Sequence, residues 1–206
     1  MNAPGFSSPD LTMPAEFQAR FDAQRAAFLK APEPSYAERL SDLRALARLL
    51  KENQKAIVAA VDADYGGRSE FETMFGEIFP SLDGLRDAQK RLARWMRPRR
   101  RSVDALLYPG ARNRLIPQPL GVVGVIVPWN YPIFLSFGPL TGAIAAGNRA
   151  MVKMSENSRA LAELLAGISP KYLPEDKLAF FPDAGGRGPA FSSLPFDQGR
   201  VPRGER

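Results

Sequence analysis

The sequence predicts an α/β fold in which N-terminal helices and a β-hairpin precede a parallel sheet. Three observations predict it. Apolar residues recur at helical spacing through the first half, and two short β-branched runs flank an uncharged helix in the second half. Glycine and proline punctuate the junctions between them. Short apolar runs bounded by turn signals read as buried strands. A strand–helix–strand unit of this kind takes a right-handed crossover and a parallel sheet.

The elements follow in order. Pro14 to Lys30 carries Phe17, Phe21, Ala27 and Phe28 at helical spacing, and Pro32 and Pro34 end that helix. Tyr36, Leu40, Leu43, Leu46, Leu50, Ile57 and Val61 mark one long amphipathic helix, closed at Tyr65-Gly66-Gly67. Ser69 caps a third helix from Glu70 to about Met96, with Phe71, Met74, Phe75, Ile78, Leu82, Leu85 and Leu92 facing inward. Alternation over Val103 to Pro117 reads as extended strands turning at Pro109-Gly110. Val122 to Val127 is a buried strand that stops at Pro128, which has no N–H to give a ladder. Trp129-Asn130-Tyr131 then forms a loop, Pro132 opens a helix over Ile133 to Ala146, and Gly147-Asn148 ends it. Ala150 to Lys153 is the second buried strand, Ser155 to Ser158 caps the helix that ends near Ile168, and Lys177 to Phe181 is a third strand. Gln198 to Arg206 has no apolar run and reads as disordered, because it buries too little surface to offset chain entropy.

Both polar clusters of the second half, Trp129-Asn130 and Lys153 to Glu156, fall at the carboxyl ends of strands, where ligands bind in open parallel sheets. Composition bounds the chemistry further. The 206 residues include no Cys and no His, which excludes disulfides, thiolate metal sites, a thiol nucleophile and the usual imidazole base. The net charge is +6, and the sharpest cluster is Arg91, Arg94, Arg97, Arg99, Arg100 and Arg101. A nucleic-acid or anionic-membrane footprint is one reading; a solvated helix end is favoured, since cations complement a helix C-terminus. Trp95 within that cluster reads as packing. No apolar run is long enough to span a membrane, and Met1 to Met13 lacks a basic start followed by an apolar core, so a cytoplasmic protein is expected.

The run Pro119-Leu-Gly-Val-Val-Gly-Val-Ile-Val-Pro-Trp-Asn-Tyr-Pro132, followed by Gly147-Asn-Arg-Ala-Met-Val-Lys-Met-Ser-Glu156, resembles the NAD(P)-dependent aldehyde dehydrogenases. The likeness is to the shorter class that includes coniferyl-aldehyde and fatty-aldehyde dehydrogenases, and it extends from about Tyr36 to about Phe180. It implies an incomplete Rossmann-like sheet belonging to that family's cofactor domain. The organisation expected on this basis is a flexible N-terminus over residues 1–13 and a helical part of the N-terminal domain over 14–101. An extended, oligomerisation-like hairpin over 102–118, a partial dinucleotide-binding domain over 119–181 and an aberrant, disordered tail over 182–206 complete it.

The resemblance also assigns roles. Asn130 would stabilise the oxyanion formed when a thiolate attacks an aldehyde; its bland alternative is a turn-forming Asn. Lys153 and Glu156 would hydrogen-bond the adenosine ribose hydroxyls, and the carboxylate favours NAD, with NADP possible. Their alternatives are a surface lysine and a helix-capping glutamate. The backbone of Val127 and Pro128 and the ring of Trp129 would line the same pocket, and Ser155 reads as a cap. The family's nucleophilic Cys is absent, and its general-base Glu and pyrophosphate loop should follow Asp197, where Gln198 to Arg206 runs instead. The expectation is a truncated aldehyde dehydrogenase, inactive as it stands, with weak NAD binding, a small-molecule aldehyde as the family substrate and a homodimer as the family assembly. No metal, nucleic acid or membrane span is expected. The alternative is a non-catalytic binding or assembly module derived from the same fold.

Overall fold

The computed structural model describes residues 13–183 and 186–200, so the expectations for residues 1–12 and 201–206 lie outside the described residues. Helix α1 (Ala15–Lys30) leads into α2 (Tyr36–Glu52), whose start is a reciprocal cap between Ser35 and Glu38. Where one long helix was expected, α2 ends and α3 (Gln54–Tyr65) begins at Asn53. The Asn53 side-chain amide donates to the Leu49 carbonyl at 2.8 Å and to the Tyr172 hydroxyl at 2.9 Å, so it competes with the backbone and bends the run. Gly66 closes α3 at φ +64°, a conformation glycine adopts without strain.

The third helical run is also interrupted. Helix α4 (Glu70–Thr73) passes through a π-helical turn (Met74–Ile78) into α5 (Phe79–Met96). Pro80 accounts for the turn, since it has no N–H and its ring crowds the carbonyl of the preceding turn in a regular helix. The wider turn rotates the register. Ile78, Leu85 and Leu92 are buried as expected, but Phe71 and Phe75, expected inward, are 69% and 62% exposed. They stack on each other at 4.4 Å between ring centroids, with exposed Phe79 next in the row. Glu77 points inward instead.

Strands β1 (Arg99–Arg101) and β2 (Asn113–Leu115) form the hairpin, with Arg99 opposite Leu115 and Arg101 opposite Asn113. The first strand is earlier and shorter than its alternation suggested, and Val103 to Arg112 is the connecting loop. Asp104 causes this by accepting from the Leu106 and Leu107 amides, which winds the segment into a turn.

Strand β3 (Val122–Ile126), helix α6 (Pro132–Ala145), strand β4 (Arg149–Lys153), a 3₁₀ turn (Glu156–Ser158), α7 (Arg159–Ile168) and strand β5 (Leu178–Phe181) follow the expected order. The tail departs from expectation. Residues 188–192 form α8 (Gly188–Ser192), and β6 (Gln198–Arg200) pairs in parallel with β3. Phe191 and Leu194, buried at 0% and 4% exposure, anchor this segment, so the part of 182–206 that is described folds onto the sheet rather than being disordered. Asp197 fixes the register through its carboxylate, which accepts the Val122 N–H at 2.9 Å. At Gly121 (φ +143°) a side chain would collide with that carboxylate.

The sheet is wholly parallel in the order β5-β4-β3-β6 and covered on both faces. Val123, Val125, Ala150, Val152, Leu178 and Phe180 face α2, α5, α6 and α7 in the main core. Val122, Met151, Ala179 and Phe181 face α1, where Phe17 meets Phe181 and Phe191 edge-on at 5.0 and 5.3 Å. Near-continuous apolar strands are what burial on both faces demands.

Candidate functional site

The sheet order locates the site. From β3 the chain moves outward through β4 to β5, then returns to place β6 on the other side of β3. The topological switch point therefore lies at the carboxyl end of β3, where Val127, Pro128, Trp129 and Asn130 emerge. The Ile126–Lys153 register and the Val127 N–H donated to the Lys153 carbonyl at 2.9 Å bring the second cluster to the same end of the sheet. Val127 is buried, Trp129 is 60% exposed, and Asn130 and Glu156 are exposed. Ser155 acts as the expected cap, accepting from the Asn157 N–H at 3.2 Å, and Glu156 opens the turn it caps.

Lys153 is not a surface lysine. Its side chain is 8% exposed and its ammonium pairs with the carboxylate of Asp183, itself 5% exposed. Asp183 belongs to the segment expected to be disordered. It also accepts the Arg187 N–H at 3.3 Å, so one carboxylate ties the end of β4 to the approach of α8.

The loop bearing Trp129 and Asn130 is held mainly by its backbone, from residues that sequence reasoning did not single out. The Tyr65 hydroxyl donates to the Trp129 carbonyl and lies 2.8 Å from the Ser158 hydroxyl, so one side chain bridges this loop and the 3₁₀ turn after β4. Burial pushes the Tyr65 phenol up, which keeps the hydroxyl protonated. Arg68 donates to the Asn130 carbonyl at 2.8 Å, and its guanidinium lies over the rings of Tyr65 and Tyr131 at 4.9 and 5.0 Å. Glu77, fully buried, accepts the Ile133 and Phe134 N–H groups at 2.7 and 3.2 Å and so caps α6. It also pairs with Arg68 at 3.3 Å. Burial raises the Glu77 carboxyl above its ordinary range, against the opposing pull of the two amides and Arg68. Asp64 does for α7 what Glu77 does for α6, accepting the Ala160 and Leu161 N–H groups at 2.7 and 2.9 Å. The available signal was the polar run Asp64-Tyr65-Gly66-Gly67-Arg68 at a helix end.

This arrangement offers exposed amide, indole and carboxylate groups at a switch point, with a buried ammonium beside them. Among the described residues no cluster of acidic side chains could hold a metal ion. The aldehyde dehydrogenase family model matches residues 8–188. The chain belongs to the aldehyde dehydrogenase family. Among curated relatives it is 50% identical over 182 residues to a probable coniferyl aldehyde dehydrogenase of Pseudomonas aeruginosa, covering 88% of this chain and 38% of that one. It is 44% identical over 177 residues to the coniferyl aldehyde dehydrogenase of a Pseudomonas strain, covering 85% and 36%. The chain thus spans well under half the length of these aldehyde dehydrogenases. Among solved structures it superposes on a substrate-bound AldH of Staphylococcus aureus with a TM-score of 0.76 at 27% identity, covering 81% of this chain and 36% of that one. It also superposes on an indole-3-acetaldehyde dehydrogenase complexed with NAD+ with a TM-score of 0.75 at 22% identity, covering 86% and 36%, a likeness of fold.

Proposed function

We propose that the chain is the cofactor-side portion of an NAD(P)-dependent aldehyde dehydrogenase of coniferyl-aldehyde type. In this reading it holds the adenosine half of the dinucleotide and presents Asn130 to the reacting carbonyl. The observation that carries the reading is the strand order, which opens the switch point at Val127 to Asn130. The donor set fits the cofactor. A buried ammonium and an exposed carboxylate at one sheet end match a ribose diol, and an ammonium has three donors, more than Asp183 alone uses. NAD would supply the hydride acceptor. Lys153 and Glu156 would hold the ribose, Val127 and Pro128 the adjoining wall, and Trp129 a face of the pocket. Glu156 disfavours a 2′-phosphate by like-charge repulsion, so NAD is preferred to NADP. The name shared by the two Pseudomonas relatives supports coniferyl aldehyde as the substrate class.

The chain contains no cysteine, so in this reading it does not oxidise aldehydes alone and binds NAD weakly. Its organisation in this reading is a helical part from α1 to α5, a hairpin of β1 and β2, and a partial dinucleotide domain that begins at β3 and includes β6. A cytoplasmic homodimer is the proposed assembly. The test is thermal unfolding with increasing NAD, which stabilises by RT ln(1 + [L]/Kd). A rising midpoint, smaller with NADP and lost in Lys153→Met, is expected. An unmoved midpoint at millimolar NAD rejects the reading. One observation favours an assembly module instead, the exposed row of Phe71, Phe75 and Phe79. A defined oligomer in size-exclusion chromatography, with no response to NAD, would select it.

A further inference from the structure

Lys153 lies where a nucleotide would meet a cation, yet its charge is already answered from inside the protein. The ammonium, 8% exposed, pairs with the Asp183 carboxylate, 5% exposed. The start of α8 closes over the pair, since a side chain at Gly188 would begin 3.8 Å from the Lys153 ammonium. Asp183 is itself held in place. It accepts the Arg187 N–H at 3.3 Å, and the Arg187 guanidinium reaches Glu16 of α1 at 2.5 Å. Arg159, at the start of α7, is engaged by Glu163 at 2.9 Å. Glu156, exposed at the same sheet end, adds a second carboxylate, so Lys153, Asp183 and Glu156 together carry a net charge of −1.

Resting on the dinucleotide reading of this site, we propose that Asp183 determines which nucleotide it accepts. By occupying the Lys153 charge, Asp183 excludes a phosphate on the adenosine ribose while leaving ammonium donors for a ribose diol. The distinction follows from what each ligand needs. A diol is neutral and takes hydrogen bonds, and an ammonium carries three donors, which one carboxylate need not exhaust. A phosphate monoester carries nearly two negative charges at neutral pH and needs a cation that is not already neutralised. Glu156 repels such a phosphate too, but from the exposed rim, where salt screens the charge. The buried pair is screened much less, which makes Asp183 the stronger gate. A tether that merely joined β4 to α8 would alter the affinity for both nucleotides alike, so the ratio of the two dissociation constants separates the roles.

The test is calorimetric titration of NAD and of NADP into the full chain, its Asp183→Asn variant and its Glu156→Gln variant. Asp183→Asn keeps an acceptor oxygen for the ammonium and for the Arg187 N–H while removing the charge. It should lower the ratio of the NADP constant to the NAD constant by about tenfold or more, the scale of one unit charge removed beside a phosphate in a partly desolvated site. Adding Lys153→Met to Asp183→Asn should remove that gain in NADP binding. Glu156→Gln leaves the buried pair intact, so it should weaken NAD by loss of an acceptor yet retain the preference for NAD, at low and at raised salt. Circular dichroism checks that each variant is folded at the assay temperature, and Glu156→Gln, an exposed change, carries the test if Asp183→Asn does not fold. An unchanged ratio in Asp183→Asn, or a preference lost with Glu156→Gln alone, overturns the proposal and leaves the cofactor reading standing. A parent chain that prefers NADP overturns it as well. Binding of neither nucleotide by the parent or by any variant rejects the cofactor reading, and the proposal falls with it.

Discussion

Glu77→Ala should be among the most damaging single changes in this chain. The carboxylate is fully buried, accepts the Ile133 and Phe134 N–H groups, and pairs with Arg68, whose side chain is 11% exposed. Hydrogen bonds to a charged group are worth about 1.5–3 kcal/mol each, and leaving a buried charge without its partner costs about 3–5 kcal/mol. Glu72 still pairs with Arg68, and the burial cost of the carboxylate disappears with it, so a net loss of about 3 kcal/mol is expected. In a chain of 206 residues that lowers the unfolding midpoint by about 6–12 °C. Glu77→Gln keeps one acceptor oxygen for the α6 amides and should lose about half as much. The pH dependence separates charge from shape. Because burial raises the native carboxyl, the folded state holds its proton more tightly than the unfolded chain does. This group's contribution to stability therefore falls as pH rises from the ordinary carboxylate value through the raised one, and is level above it. Urea unfolding at several pH values, with the parent and both variants, measures this. The reasoning fails if Glu77→Ala melts within about 1 °C of the parent. It fails equally if the Gln variant keeps the parent's slope in that window.

Three more outcomes follow from the same contacts. Tyr65→Phe removes the hydroxyl that links the Trp129 carbonyl to Ser158 and should cost about 1–2 kcal/mol in urea unfolding, with faster hydrogen exchange in the 129–131 loop. Gly124→Ala puts a methyl 2.5 Å from the Phe196 ring and should destabilise by about 1–3 kcal/mol, read as a lower thermal midpoint; an unchanged midpoint would mean that Phe196 moves freely. Asp183→Ala strands the buried ammonium of Lys153 and should cost about 3–5 kcal/mol, whereas adding Lys153→Met to it should recover most of that loss. If the double variant is no better than Asp183→Ala, the pair is not coupled.

The sheet was legible because its strands are buried on both faces. Val122 to Ile126 and Ala150 to Lys153 are short, apolar and bounded by Gly121, Pro128, Gly147 and Asn148, which leaves little choice of element or direction. The break between α2 and α3 was not legible, because Asn53 bends the run by reaching Tyr172, a partner distant in sequence. Pro80 is a local signal for the π-helical turn, but what that turn delivers, Glu77 to the amides of α6, depends on residues far along the chain. The hairpin misled in a different way. Alternation at Val103, Ala105 and Leu107 looked like a strand, but the Asp104 side chain supplies the hydrogen bonds that a partner strand would have given.

The site shows the same division. Asn130, Lys153 and Glu156 could be placed at strand ends from sequence alone, yet nothing in the sequence said what holds them. In the fold, the backbone carbonyls of Trp129 and Asn130 are gripped by Tyr65 and Arg68, and the helices that follow both strands are capped by Glu77 and Asp64. All four residues come from the end of α3 and the run after it, so the geometry of this sheet end is set by the helical layer packed beside it. That has a physical consequence. Changes in α3 or in the π-helical turn should shift the 129–131 loop without touching the sheet, whereas changes in β3 or β4 should lower stability with little effect on the loop until the fold is lost.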